Sequence, residues 1–397
     1  MIRVAILLCL LSAWTYASDT VFAAQETSPP QAATIATQPP GPSVLPPKEI
    51  VKPLFGQLLK DVKCSKESFN PSLKEKLELS FNLANPSAVT VAVYDADNGL
   101  INTVVARNQM TAGTQKVTWD GKDLDGKAVP DEAYYFNIVA VDEDGNKEIY
   151  DPTTFSGGEE HDISNAEINP QNQTINYKMP EMGRVLIRIG IQGGPLVNTL
   201  VDWQPRVKGV ITEYWNGKDK DNLVDIYNHP RYKMIITFFS LPETSVIAYG
   251  NKGLNFRDYK KSFTVPRPLK PKRPTSVQKV SNHYGLPRAE DYSPELNMTL
   301  VNAKGTDAEG ATILSQKTIV KVELDTQDKL IFQNQQFEIV FFLDYDFYAE
   351  DESGYTPFNW VWDLSNVKEG EHLLTVNLSS FKDQIGVISR KVKVVKE

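Results

Sequence analysis

The chain has 397 residues, a formal net charge of −8 and an apolar content of 41%. That length accommodates roughly two to four domains, and the composition is that of globular modules, not of a disordered or fibrous chain. The excess of 50 Asp and Glu over 42 Lys and Arg argues against a general nucleic-acid binder.

Residues 1–24 read as a secretion signal. Arg3 supplies the positive start, Val4 to Trp14 an apolar stretch too short to span a bilayer, and Ala17-Ser18 and Ala23-Ala24 the small residues of a cleavage region. This predicts a periplasmic, secreted or cell-surface protein with no integral membrane segment in the mature chain. Cys9 leaves with the signal, so Cys64 stands alone and no internal disulfide is expected. Residues 25–54, rich in Pro, Thr, Ala and Gln, read as a semi-extended tether.

From residue 77 the pattern has period two. Leu77, Leu79, Phe81 and Leu83 alternate with polar residues, and Val89, Val91 and Val93 follow after Asn85-Pro86-Ser87. Asn98-Gly99 predicts a tight primed turn with two positive φ angles. Strands are expected at 100–106, from Gly113 to Trp119, and along Tyr134, Phe136, Ile138 and Ala140, with turns at Asp120-Gly121, Asp125-Gly126 and Asp144-Gly145. About seven short strands with turns every 8–12 residues predict an antiparallel sandwich.

The chain then repeats itself at an offset of 96. Leu100-Ile101-Asn102-Thr103-Val104-Val105 returns as Leu196-Val197-Asn198-Thr199-Leu200-Val201, and Trp119-Asp120-Gly121-Lys122-Asp123 as Trp215-Asn216-Gly217-Lys218-Asp219. A period near 100 residues is one small domain, not a solenoid unit. Ile175, Tyr177 and Met179, then Val185, Ile187 and Ile189, and finally 232–239 are the expected strands of the second copy. Arg267, Lys270, Lys272 and Arg273 are interleaved with Pro266, Pro268, Pro271 and Pro274, which reads as a stiff, solvated linker.

A third unit follows. Val320, Val322 and Leu324 mark one strand. Phe337, Ile339, Phe341, Leu343, Tyr345 and Phe347 line one side of what reads as a single long strand, and Leu374, Val376, Leu378, Val392 and Val394 mark two more. No segment of the mature chain has strong helical periodicity over ten residues. The fold class expected is therefore all-β: three consecutive antiparallel sandwiches joined by Pro-rich linkers. The expected boundaries are 55–150, a linker at 151–165, 166–265, a basic linker at 266–290, and 291–397.

Several residues named above carry a resemblance. The strand through Val91 to Tyr94, Asp95 with Gly99, Gly113, then Trp119-Asp120-Gly121-Lys122-Asp123 with Gly126, then Tyr134-Tyr135-Phe136, resemble the immunoglobulin-like module of FlgD, the flagellar hook-capping scaffold. The same module decorates many exported bacterial proteins. The second copy carries Asn216 for the Asp and Asn222 for the last Gly, and Asn tolerates left-handed φ better than most residues. The segment of FlgD that enters the hook is absent, so no flagellar role follows. Pro357-Phe358-Asn359-Trp360-Val361-Trp362-Asp363 with Gly370-Glu371-His372 is similar to a second group of bacterial Ig-like modules, usually spacers or binding units of exported proteins. In these motifs Trp119 and Trp215 are expected to cap the inter-sheet core, Asp120 to bind backbone amides, Gly121 to sit where a Cβ would clash, and His372 to be a packed turn residue.

Catalytic signals are weak. Glu159-Glu160-His161-Asp162 reads as a solvated linker, since ligands so close in sequence seldom converge on one ion. Asp120, Asp123 and Asp125, and Asp142 and Asp144, miss the spacing of a calcium loop. Gly190 to Gly194 lacks the Lys of a phosphate loop, and no Gly-x-Ser-x-Gly occurs. No catalytic, cofactor-binding or metal residue is therefore expected. Eleven aromatics fall between Phe332 and Trp362, and residues 337–348 are apolar on both sides. Packing against a neighbouring domain accounts for this. A docking or sugar-stacking face using Tyr345, Tyr348, Tyr355 or Trp360 is the functional reading. The sequence thus favours a non-catalytic scaffold or adhesion protein with protein partners, with a carbohydrate-binding accessory protein acting on polysaccharide as the alternative.

Overall fold

Over 77–83 the inward residues Leu77, Leu79, Phe81 and Leu83 are buried while Glu78, Ser80 and Asn82 are not, the mark of a strand with one face on a core. The computed structural model describes residues 56–272, 275 and 279–396, which lie within one compact unit, Lys52–Glu397. The signal and tether expected over 1–54, and Arg273 and Pro274 of the basic segment, lie outside the described residues. The protein is mostly strand, in several antiparallel sheets, and no helix among the described residues is long and apolar enough to cross a membrane.

The first module runs through β1 (Leu59–Cys64), β2 (Ser68–Phe69), β3 (Leu77–Leu83), β4 (Ser87–Tyr94), β5 (Leu100–Met110), β6 (Gly113–Trp119), β7 (Glu132–Asp142) and β8 (Lys147–Tyr150). Sheet β1-β3-β6 and the sheet built on β7-β4-β5 share one core, where Leu79 and Phe81 meet Val91, Phe136 and Ile138. The second module repeats the plan with β9 (Glu160–Asp162), β10 (Glu167–Asn169), β11 (Thr174–Met179), β12 (Gly183–Ile191), β13 (Leu196–Arg206), β14 (Gly209–Tyr214) and β15 (Tyr232–Ser240). Its sheets are β10-β11-β14 and β13-β12-β15-β9. The duplication reaches single dihedral angles: Arg107 and Trp203, 96 residues apart, both take positive φ, at 48° and 49°.

Chain order and module membership differ from the sequence expectation at three places. After β15 the chain returns to the first module. There β16 (Val246–Ala248) pairs with both β7 and β2, and helix α1 (Phe256–Lys261) buries Phe256 and Tyr259 in the first core. Residues 241–265 thus serve the first copy, because β7 has a free edge that the alternation within 241–265 does not reveal. Within the expected linker 151–165, β9 extends the second module's sheet along β15, and His161 stacks on Phe238 at 5.2 Å. The basic segment is not a solvated linker at its first two cations. Arg267 lies 2.6 Å from Asp125, and Lys270 lies 2.5 Å from Asp151.

Helix α2 (Asn282–Gly285) leads into the third module: β17 (Leu296–Val301), β18 (Thr312–Leu314), β19 (Lys317–Leu324), α3 (Thr326–Phe332), β20 (Phe337–Leu343), β21 (Asp346–Asp351), β22 (Phe358–Asp363), β23 (Gly370–Ser380) and β24 (Ile385–Val394). Sheets β17-β19-β22 and β18-β24-β23-β20-β21 enclose its core. The single long strand expected through 337–347 is a hairpin. Asp344 and Tyr345 both take positive φ (50° and 72°), and β21 folds back on β20. The Asp344 carboxylate accepts from the Leu373 amide at 2.9 Å, which holds a turn that lacks glycine. At 95–99 the expected two-residue primed turn is absent. Only Asn98 has positive φ (62°), and the buried Asp95 carboxylate closes a wider loop by accepting from the amides of Asp97 and Gly99.

Candidate functional site

Three groups of residues are candidates: the repeated tryptophan turns, the junction between modules, and the aromatic edge of the third module. In the first turn Trp119 is buried edge-on against Phe69, Tyr134 and Phe136 at 5.4, 5.5 and 6.0 Å. Its indole N–H donates to the Lys122 carbonyl at 2.9 Å, and Trp215 does the same to Lys218 at 2.8 Å. Asp120 and Asn216 each accept from the amide two residues on. Asp123 accepts from the amides of Asp125 and Lys127, and Asp219 from those of Leu223 and Val224. Gly121 and Gly217 have φ of 73° and 82°, and Gly126 and Asn222 have 74° and 60°. These oxygens serve the chain's own amides, the backbone role that makes Asp and Asn frequent in turns. Asp142 likewise accepts from Asn146, whose side chain and amide hold its carboxyl below the usual range.

The junction was not legible as a site in the sequence. The Glu132 carboxylate, almost fully buried, lies 2.7 Å from Arg184 of the second module and 3.0 Å from Arg288. Burial pushes Glu132 up, but the two guanidinium groups outweigh it and hold the carboxyl below its ordinary value. Arg288 also donates to the Asp291 carbonyl at 2.7 Å, lies 4.3 Å from the Tyr292 ring centre, and donates its amide to Asp97. Beside it, His283 lies 2.7 Å from Asp291 and 3.6 Å from Asp383 of the third module, and packs on Trp203 at 4.5 Å. Burial works against the imidazolium, yet the two carboxylates push its pKa up to about 9. Asp383 in turn lies 3.0 Å from Arg188 of the second module. Asp202, pushed up by burial, accepts from the Ser293 amide at 2.7 Å. A cavity of about 510 Å³ adjoins the cluster, lined by Tyr134, Tyr135, Phe239 and Tyr284 together with Arg184 and Arg288, whose charges are already committed to Glu132. One signal was available: Glu132 continues the buried alternation of Tyr134, Phe136 and Ile138, a position where a lone carboxylate needs a buried partner.

In the third module Trp362 is buried, and Trp360 stacks on it at 5.5 Å while touching Phe341 at 4.4 Å and Tyr348 at 5.7 Å. Tyr348 and Phe347 are partly exposed and Tyr355 is 58% exposed. Tyr345 is not part of this edge: it packs on His229 of the second module at 4.6 Å. The outer face of β20 and β23 is also covered there, where the Asn377 side chain bonds both the N–H and the carbonyl of Leu196 at 2.9 Å. Asp363 caps the following turn through the Ser365 amide, and His372 bridges Asp344 at 2.6 Å and the Lys368 carbonyl at 2.8 Å. Asp307, Glu309 and Glu371 bring carboxylate oxygens within 4.8 Å of one another, the one such acidic group among the described residues. Asp307 in that group already accepts from the amides of Glu309 and Ala311. Cys64 donates to the Thr244 carbonyl at 3.3 Å, and burial pushes its thiol up to about 12, which leaves it unreactive.

Residues 68–144 match the model of the FlgD Ig-like domain. The first module is thus an FlgD-type Ig-like domain. The FlgD structure from P. aeruginosa is 30% identical over 22% of this chain and 67% of its own, with a TM-score of 0.19. Fibronectin(III)-like modules of CbhA from Clostridium thermocellum match at 12% identity, 85% and 95% coverage and a TM-score of 0.18. A 1.5-MDa bacterial ice-binding adhesin matches at 10% identity, 87% and 99% coverage and a TM-score of 0.17. No curated protein matches. The FlgD-type match ends at residue 144, before the second copy, although that copy shares its turn geometry.

Proposed function

We propose that this chain is a non-catalytic, exported scaffold or adhesion protein that presents Ig-like modules to protein partners in the cell envelope or outside the cell. The observation that carries this reading is where the molecule places its buried charge. Glu132, Arg184 and Arg288 meet between modules, where their charges are committed to one another beside the cavity. A buried ion cluster adds little net stability, and in this reading its role is to fix the relative orientation of the parts it joins. A scaffold needs such fixed spacing to hold a surface in register with a partner. The partly exposed Phe347, Tyr348 and Tyr355 are then the aromatic side chains available to that partner.

The test is crosslinking of the tagged protein in envelope extracts, comparing the wild type with Phe347→Ser and Tyr355→Ser. A protein captured by the wild type and lost in both variants supports the reading. Turnover that survives purification and vanishes on mutating one carboxylate overturns it. Quenching of tryptophan fluorescence by soluble polysaccharide moves the assignment to carbohydrate binding. For that alternative Tyr355 offers an open ring, whereas Trp360 is already in contact with Phe341, Trp362 and Tyr348.

A further inference from the structure

The two copies end their smaller sheets with the same strand, β6 in the first and β14 in the second. Each is an edge: β6 pairs only with β3, and β14 only with β11, among the described residues. On β6 the outward residues are Thr114, Lys116 and Thr118, and Lys116 is paired with Glu78 at 2.8 Å. A lysine in mid-edge is a common device against strand addition. At the offset of 96 the corresponding residues of β14 are Val210, Thr212 and Tyr214. The guarding lysine has become Thr212, and it is flanked by a valine 74% exposed and a tyrosine 78% exposed.

We propose that β14 is a self-association edge, and that a second copy of this chain adds to it antiparallel about a two-fold axis at Thr212. In that register Thr212 faces its own symmetry mate and Val210 faces the partner's Tyr214, twice. These are threonine–threonine and aromatic–β-branched pairs, the kinds that stabilise neighbouring strands. No like charges meet. Lys208 falls opposite Asn216, and Ile211 opposite Glu213, whose charge is already held by Arg206 at 2.7 Å. The same operation on β6 would set Lys116 against Lys116. The interface is isologous, so it closes at a dimer instead of propagating. The inference goes beyond the scaffold reading, because it names the occupant of one edge and does not depend on the outside partner.

Analytical ultracentrifugation of the purified chain over a range of concentrations tests it. The wild type is expected to dimerise. Thr212→Lys and Thr212→Glu each place like charges across the axis and are expected to weaken the dimer by about tenfold or more. An equimolar mixture of the two variants is expected to associate again, because Lys then faces Glu. That recovery also shows that both variants fold. A wild type that stays monomeric overturns the proposal. So does a dimer unchanged by either substitution, or a mixture that fails to recover.

Discussion

The two copies of the repeat use the same turn hardware to different ends. In the first, Trp119 is enclosed by three aromatic rings, Gly121 lies under Pro71, and the core is enlarged by β16 and α1 from beyond the second copy. In the second, Trp215 stacks on Tyr232 at 5.6 Å and meets Tyr227 at 6.3 Å, Gly217 has room for a Cβ without a clash, and the edge strand lacks its lysine. Duplication preserved the backbone path, while packing was redistributed. The first copy became the anchor to which later segments return, and the second became the bridge, touching both the first through Arg184 and the third through Arg188 and Leu196.

The sharpest test of that difference is the tryptophan pair. Trp119→Ala is expected to cost about 4–5 kcal/mol and Trp215→Ala nearer 3 kcal/mol in denaturant unfolding. Equal costs would remove the distinction between anchor and bridge. The turn glycines come next. A Cβ at Gly121 would meet the Pro71 ring at 2.3 Å, whereas one at Gly217 would make ordinary contact with Tyr227 at 3.4 Å and Asp225 at 4.0 Å. Gly121→Ala is therefore expected to cost about 2–4 kcal/mol against about 1–2 kcal/mol for Gly217→Ala, since both carry the strain of positive φ and only the first adds a clash.

The junction gives a pH signature that neither copy has alone. His283 has a folded pKa of about 9 against an ordinary 6.5, so the fold favours its protonated form. That contribution, at most about 3 kcal/mol, is fully present below pH 6.5 and fades as the pH rises through 9. Melting temperatures of the wild type and His283→Gln are expected to converge by pH 10. A constant gap between pH 6 and 10 would mean that the imidazolium is not what Asp291 and Asp383 hold. The smallest effect concerns Asn222, at φ 60° where the first copy has Gly126. Asn222→Gly trades a strained dihedral against the hydrogen bond from Asn216 to Asn222 at 2.7 Å, and its cost is expected to stay under about 1 kcal/mol. A larger loss would make that side-chain bond the main support of the turn.

The misreadings have physical causes of one kind. A hairpin turn at Asp344-Tyr345 carries no glycine, and its conformation depends on Leu373 and His372, some 30 residues away, so local chemistry could not announce it. Segment 241–265 looks like the tail of the copy it follows. Its place on β7 depends on a free edge that alternation does not record. Tyr345 reads as one of several surface aromatics, and only docking against His229 sets it apart from them.

Local periodicity and an exact internal offset were enough to determine the all-β class, the duplication and the turns around Trp119 and Trp215, because strands and Asp-Gly turns are governed by neighbours within a few residues. Which segment completes which sheet, and where Glu132, Arg184, Arg288 and His283 find one another, was decided only by the tertiary structure. Those contacts join residues 52 to 156 positions apart, or bring in Asp383 from the last module. A buried charge acquires its partner from the packing of whole modules, and no pattern along the chain encodes that distance.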